Sequence, residues 1–265
     1  MVSDNAYGTP AVPTPQRVRQ RLNPLRVAQD AQYPILRTTG RRLVQATGVD
    51  WASFVAERQA RYAEQHGELD ERGLVRKGNV AYAAGLGLAM TGDAAAQEWF
   101  RRAAAHWRES WRGGESWGRP IGALKASLLA GDDAAAEEVA RWTLELGTAS
   151  AASPIGRYAA ALALLALGRF REARDAVATL RERDDFPRDV ADALAAIAAE
   201  DVVGYVEAVE SVVESFETRD AFLEDARVAD TALVLALLAR RRGIDAELPQ
   251  SEVLPAGGLR TSSSG

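Results

Sequence analysis

The chain reads as an all-α protein, an irregular helical-hairpin (TPR-like) array or bundle with little or no β-sheet. Three observations predict it. Apolar residues recur at spacings of three and four and almost nowhere alternate. Runs of β-branched residues bounded by turn residues, the usual mark of strands, are missing from the sequence. Three glycine breaks, Gly92, Gly131 and Gly168, fall 39 and then 37 residues apart, each between two helical segments. A break at that period is the sign of stacked helical pairs.

The elements follow in chain order. Residues 1–15 carry Pro10, Pro13 and Pro15 among small polar residues and read as a disordered arm. Pro34 interrupts or starts a helix expected around Ile35 to Ala46. Asp50 reads as the N-cap of a helix from Trp51 to Gln65, with Phe54 and Val55 pointing inward. Then come three hairpins. Tyr82 to Met90, the break Thr91-Gly92-Asp93 and Ala94 to Trp111 form the first. Ile121 to Ala130, the break Gly131-Asp132-Asp133 and Ala134 to Leu146 form the second. Ile155 to Leu167, the break Gly168-Arg169 and Phe170 to Arg183 form the third. Each glycine supplies the left-handed conformation that ends a helix, and the Asp after Gly92 or Gly131 accepts from the free amides that open the next. Leu167-Gly168-Arg169-Phe170-Arg171-Glu172-Ala173 resembles the turn of a tetratricopeptide repeat.

Two further helices complete the set. Val202 to Phe216 places Val202, Val206, Val209, Val213 and Phe216 on one stripe and Glu207, Glu210, Glu214 and Glu217 on the other, the pattern of a surface helix. Val228 to Ala239 is apolar nearly all round, which marks a central helix. It closes with Arg240, Arg241 and Arg242, cations at the negative end of the dipole, and with the C-cap Gly243. Residues 16–255 are therefore expected to form a single helical domain, and the Gly- and Ser-rich residues 256–265 a disordered tail.

Composition narrows the function. The 265 residues include no Cys and two His. Disulfide frameworks, thiolate zinc sites, iron-sulfur clusters and thiol nucleophiles are thereby excluded, and a reducing compartment, the cytoplasm, is expected. The 32 basic and 37 acidic residues leave a net charge of -5, a poor match to a phosphate backbone. Met1 to Pro10 has neither the basic start nor the apolar core of a signal peptide, and no apolar run approaches a membrane span. No nucleic acid, membrane, metal or cofactor is expected as a partner.

The chemistry-bearing residues read as structural. His66 and His106 lie 40 residues apart and in no metal-binding spacing. Gly114-Glu115-Ser116-Trp117-Gly118 is off register from a nucleophile elbow. The acid pairs Asp132 and Asp133, Asp184 and Asp185, and Glu224 and Asp225 stand at turns, where carboxylates cap amides. Gly85 and Gly87 fall inside a helix, where they permit close helix contact. No catalytic residue is assigned.

Binding residues are another matter. Trp99, Trp107 and Trp111 lie along one helix with arginines between them, and Trp117 follows. Trp99 and Trp107 read as core, and Trp111 and Trp117, beside the loop, as exposed candidates for partner contact. Lys125, Arg157, Arg227 and Asp230 are charges inside apolar helices, costly unless paired or turned to a groove. If the first helices of the pairs line a groove, these residues converge there. Trp111, Trp117, Lys125, Arg157, Arg227 and Asp230 are the candidate partner-binding set.

The carboxyl-terminal third carries a family resemblance. The amphipathic helix from Asp201 to Phe216, the acidic turn through Glu224 and Asp225, the helix from Ala229 to Ala239, Gly243-Ile244, and Ser251-Glu252-Val253-Leu254-Pro255 together resemble the end of the immunity protein 49 family of bacterial polymorphic-toxin systems. Trp117 followed by Ala123 to Ala130 resembles the Trp-bearing helix of the same family. The resemblance implies a non-catalytic protein that binds a cognate toxin domain and blocks it. A tetratricopeptide-like scaffold or adaptor for protein-protein contact is the alternative.

Overall fold

The computed structural model describes residues 48–256. The arm at 1–15, the helix expected at 35–46 and all but the first residue of the tail at 256–265 lie outside them. Ten α-helices occupy the described residues, with no strand among them. In order they are α1 (Trp51–Glu64), α2 (Glu71–Met90), α3 (Ala96–Glu109), α4 (Gly118–Leu129), α5 (Asp133–Glu145), α6 (Pro154–Ala166), α7 (Phe170–Arg181), α8 (Arg188–Ala199), α9 (Val202–Glu217) and α10 (Asp230–Arg242). Short 3-10 turns stand at Thr148–Ser150 and Leu223–Asp225.

The expected punctuation is present. Gly92, Gly131 and Gly168 have φ of 72°, 70° and 68°, the left-handed values that terminate helices. Asp50 accepts from the Ser53 amide at 3.1 Å, Asp93 from the Ala95 amide at 2.9 Å and Asp132 from the Ala135 amide at 3.0 Å. The three hairpins are α2/α3, α4/α5 and α6/α7. A fourth, α8/α9, was not foreseen, because α8 is not among the elements expected from the sequence. Its stop is Glu200, a non-glycine residue with φ of 62°, so the sequence carries no breaker there. The first helix of the first hairpin also begins earlier than Tyr82, at Glu71, since its opening turns carry Arg72, Arg76 and Lys77 and hide the apolar period.

Aromatic rings set into glycine notches lock successive pairs together. A Cβ on Gly78 of α2 would lie 2.9 Å from the Trp107 indole, and one on Gly122 of α4 would lie 2.8 Å from the same ring. Trp107 of α3 is thus wedged between two helix backbones, with its Nε1 donating to Asn79 Oδ1 at 3.1 Å. Gly85 serves Phe100 in the same way, and Gly87 serves Val55 and Phe54 of α1, the close contacts the sequence suggested.

The successive first helices α4, α6 and α8 pack side by side, and α10 lies against all three. Its Leu233, Leu235 and Leu238 are completely buried. Each buried leucine contributes about 2 kcal/mol of transfer free energy, so α10 belongs to the core, as its all-round apolarity predicts. The segment after it doubles back. Gly243 caps α10 with φ of 89°, Ile244 is buried, and the Ala229 amide donates to the Val253 carbonyl at 2.8 Å. Val253 and Leu254 are buried, and Ser251 donates to Glu217 of α9 at 2.6 Å.

Candidate functional site

The surface that the first helices of an array would offer as a groove is the surface α10 covers. That fact decides the fate of the four charges expected to converge there. Lys125 of α4 and Asp230, the first residue of α10, do meet, but on each other: Nζ lies 2.5 Å from Oδ2, with the side chains 12% and 18% exposed. Tyr82 of α2 donates its hydroxyl to the same oxygen at 2.9 Å, and Lys125 also reaches Thr231 Oγ1 at 3.1 Å. Arg157 turns to α7, donating to Thr179 at 3.3 Å. Arg227 is exposed, with its guanidinium 5.9 Å from the centre of the Phe222 ring. The structure brings two of the four together and leaves the other two apart.

Electrostatics at this node follow from burial and pairing. Burial pushes the Asp230 carboxyl pKa up, but the charge and hydrogen bond of Lys125, the Tyr82 hydroxyl and the charge of Arg219 outweigh it and hold the group below its ordinary value. Arg219 also acts on Asp189 in the first turn of α8. There burial prevails, and the Asp189 carboxyl is raised despite the Val190 amide and the Ser215 hydroxyl. Asp189 and Asp230 therefore both feel the charge of Arg219.

The two exposed tryptophan candidates are corrected by the structure. Trp117 is buried, 7% exposed, and Trp111 is half-buried. The rings stack with centroids 5.9 Å apart, and Trp142 of α5 meets Trp111 edge-on at 6.2 Å. Trp117 fits against Gly156 of α6, where a Cβ would come within 2.9 Å of the indole nitrogen. Its position just after the loop suggested solvent, but the loop delivers it to the seam between the second and third pairs. Trp99 and Trp107 are buried, as expected.

Several residues that shape this region carry no local signal in the sequence. Arg58 of α1 is buried and donates through Nε and Nη2 to the Glu224 carbonyl at 3.2 and 2.6 Å, while Arg61 pairs with the Glu224 carboxylate at 2.9 Å. Glu224 and Asp225 have φ of 52° and 59°, and such backbone in non-glycine residues persists only where its surroundings enforce it. His106 is half-buried, its Nε2 2.9 Å from the Tyr62 hydroxyl. Burial first, then Lys77 and Arg102, lower its pKa against the opposing pull of Glu109. His66 is exposed at a helix end, with Nδ1 2.7 Å from the Glu64 carbonyl.

Among the described residues no three His, Asp or Glu side chains gather as metal ligands would. No described helix is long and apolar enough to cross a membrane. Of the acid pairs, Asp132 caps α5 as expected, whereas Asp133 pairs with Arg241, Asp185 with Arg183 at 2.7 Å and Glu224 with Arg61, and the helices after the second and third pairs open without a side-chain cap. No protein-family model, curated protein or solved structure matches the chain.

Proposed function

We propose that this chain is a non-catalytic binding protein that neutralises a bacterial toxin by direct contact, in the manner of the immunity protein 49 family. The observation that carries the reading is the placement of the tract on which the resemblance rests. Gly243 ends α10 in the left-handed conformation, Ile244, Val253 and Leu254 are buried, and Val253 hydrogen-bonds to the residue before α10. Residues so placed are determinants of a fold rather than incidental tail composition, which is what a shared C-terminal signature requires. The partner is a protein, with no nucleic acid, membrane or metal involved, and the site of action is the cytoplasm.

A filled inner face weighs against a scaffold that takes peptides into a groove, because α10 would have to leave the core first. Binding then falls to the outer surface. The test is affinity capture from the native host followed by co-expression of this chain with the captured toxin domain, in a host that the domain arrests. Growth restored by the intact chain, with a stoichiometric complex recovered on purification, is expected. Arrest that persists with both proteins soluble would refute the reading.

A further inference from the structure

We propose that the outward face of α9 is the contact surface, and that its partner is a cationic protein face with an aliphatic centre. The inference rests on the toxin-binding reading above and adds the surface and the chemistry of what covers it.

The face is unlike the other outer helices. On α3, Glu98 pairs with Arg101 and Arg102, and on α5, Glu137 pairs with Arg141 and Glu138 with Arg108. On α7, Glu172 is held by Arg169. Those surfaces neutralise themselves. Between Val202 and Glu217 there is no Lys or Arg at all, and Glu207, Glu210, Glu214 and Glu217 give α9 four negative charges. Glu217 accepts from Ser251, whereas Glu207, Glu210 and Glu214 have no ion pair among the described residues.

The same face opens on apolar surface. Val203, on this face, is 69% exposed, and Val202, at the corner beside it, is 49% exposed; apart from Val49 they are the exposed large aliphatic residues of the described chain. Val203, Glu207, Glu210, Glu214 and Glu217 follow helical spacings of four and three, so they form one continuous stripe. The buried side of α9, from Tyr205 through Phe216, packs on α8 and α10, and the stripe faces the other way.

An aliphatic patch continuous with uncompensated acids is complementary to Lys and Arg set around an apolar centre. A second copy of this chain would bring like charges together, and an anionic surface would be repelled. Val203 supplies the desolvated contact, and the glutamates steer approach and fix orientation.

The test uses calorimetry with the full chain and, as probe, a catalytically inactive form of the toxin domain that the co-expression experiment identifies. Val203→Asp and the triple change Glu207→Lys, Glu210→Lys, Glu214→Lys alter exposed positions, and circular dichroism checks that both keep the helical fold. Glu137→Lys with Glu138→Lys on α5 is the control. Affinity is expected to fall about tenfold or more with Val203→Asp and about a hundredfold with the triple change at low salt, and to move less than about threefold with the control. Wild-type affinity retained by both α9 variants overturns the proposed face and leaves the toxin-binding reading standing. A loss with Val203→Asp alone overturns the cationic partner. No binding by the wild-type chain overturns the face and the toxin-binding reading together.

Discussion

Asp230→Ala breaks the ion pair between Lys125 of α4 and the first residue of α10, and its cost can be worked from the contacts. The carboxylate faces the Lys125 ammonium at 2.5 Å and accepts from the Tyr82 hydroxyl at 2.9 Å. After truncation, Lys125 keeps Thr231 at 3.1 Å but no countercharge at contact distance among the described residues, with its side chain only 12% exposed. Breaking a buried pair by removing one member costs about 3–5 kcal/mol, and the residual exposure here places the value near the lower end, about 3 kcal/mol. For a domain of this size that corresponds to a fall of about 6–12 °C in Tm. The companion variants Lys125→Met alone and Lys125→Met with Asp230→Ala complete the cycle, and the double variant, which leaves no unpaired charge, should be more stable than Asp230→Ala alone. Urea titration and thermal melting followed by far-ultraviolet circular dichroism measure all three variants. Asp230→Ala melting within a degree of wild type, or single-variant costs that add in the double variant, would refute the buried pair.

Three other perturbations probe separate features. Tyr205 is completely buried, its hydroxyl has no hydrogen-bond partner among the described residues, and burial pushes its pKa up to about 12, so Tyr205→Phe should stabilise the protein by about 1 kcal/mol in the same titration. A loss of stability would mean that the hydroxyl is satisfied. Gly122→Ala drives a methyl to 2.8 Å from Trp107 and should cost about 1–3 kcal/mol with a shift in near-ultraviolet circular dichroism, whereas a neutral outcome would contradict the wedge. His106 has a folded pKa below its ordinary 6.5, so below that pH the unfolded chain binds more protons than the folded one. Its contribution is therefore present at neutral pH and declines as pH drops from 6.5 towards the depressed folded value. His106→Gln should flatten that part of the stability profile, and an unchanged slope would assign the dependence to other groups.

What the sequence reveals depends on whether a feature has a local cause. The breaks at Gly92, Gly131 and Gly168 are legible because glycine takes positive φ without steric cost, and Asp50, Asp93 and Asp132 because a capping carboxylate must stand beside its amides. The central place of α10 is legible from its all-round apolarity. The start of α8/α9 is not, since Glu200 turns the chain without a breaker residue. Trp117 is misread because its burial depends on Gly156, far along the chain. Val202 belongs to the apolar stripe by periodicity, yet it stays exposed at the corner where α8 turns into α9.

The candidate site divides in the same way. Polarity inside an apolar helix correctly singled out Lys125 and Asp230, because an isolated charge there demands a partner. Which partner it finds is a long-range fact, and here each supplies the other. Arg157 and Arg227 show the same sequence signal and find different surroundings. The buried Arg58 and the left-handed Glu224 that it holds lie far apart in sequence, so neither announces the other. The acidic stripe of α9 was visible from the start, but its lack of arginine partners acquires meaning only beside the paired faces of α3, α5 and α7.

Hydrogen exchange of the isolated protein measures most directly whether α10 occupies the inner face of the array. Amides from Ala232 to Ala239 should be among the slowest in the molecule, exchanging only through global unfolding and tracking its free energy in denaturant. Exchange of these amides well ahead of those in α4, α6 and α8 would show an α10 that leaves the core, and would return the inner face to the list of binding surfaces.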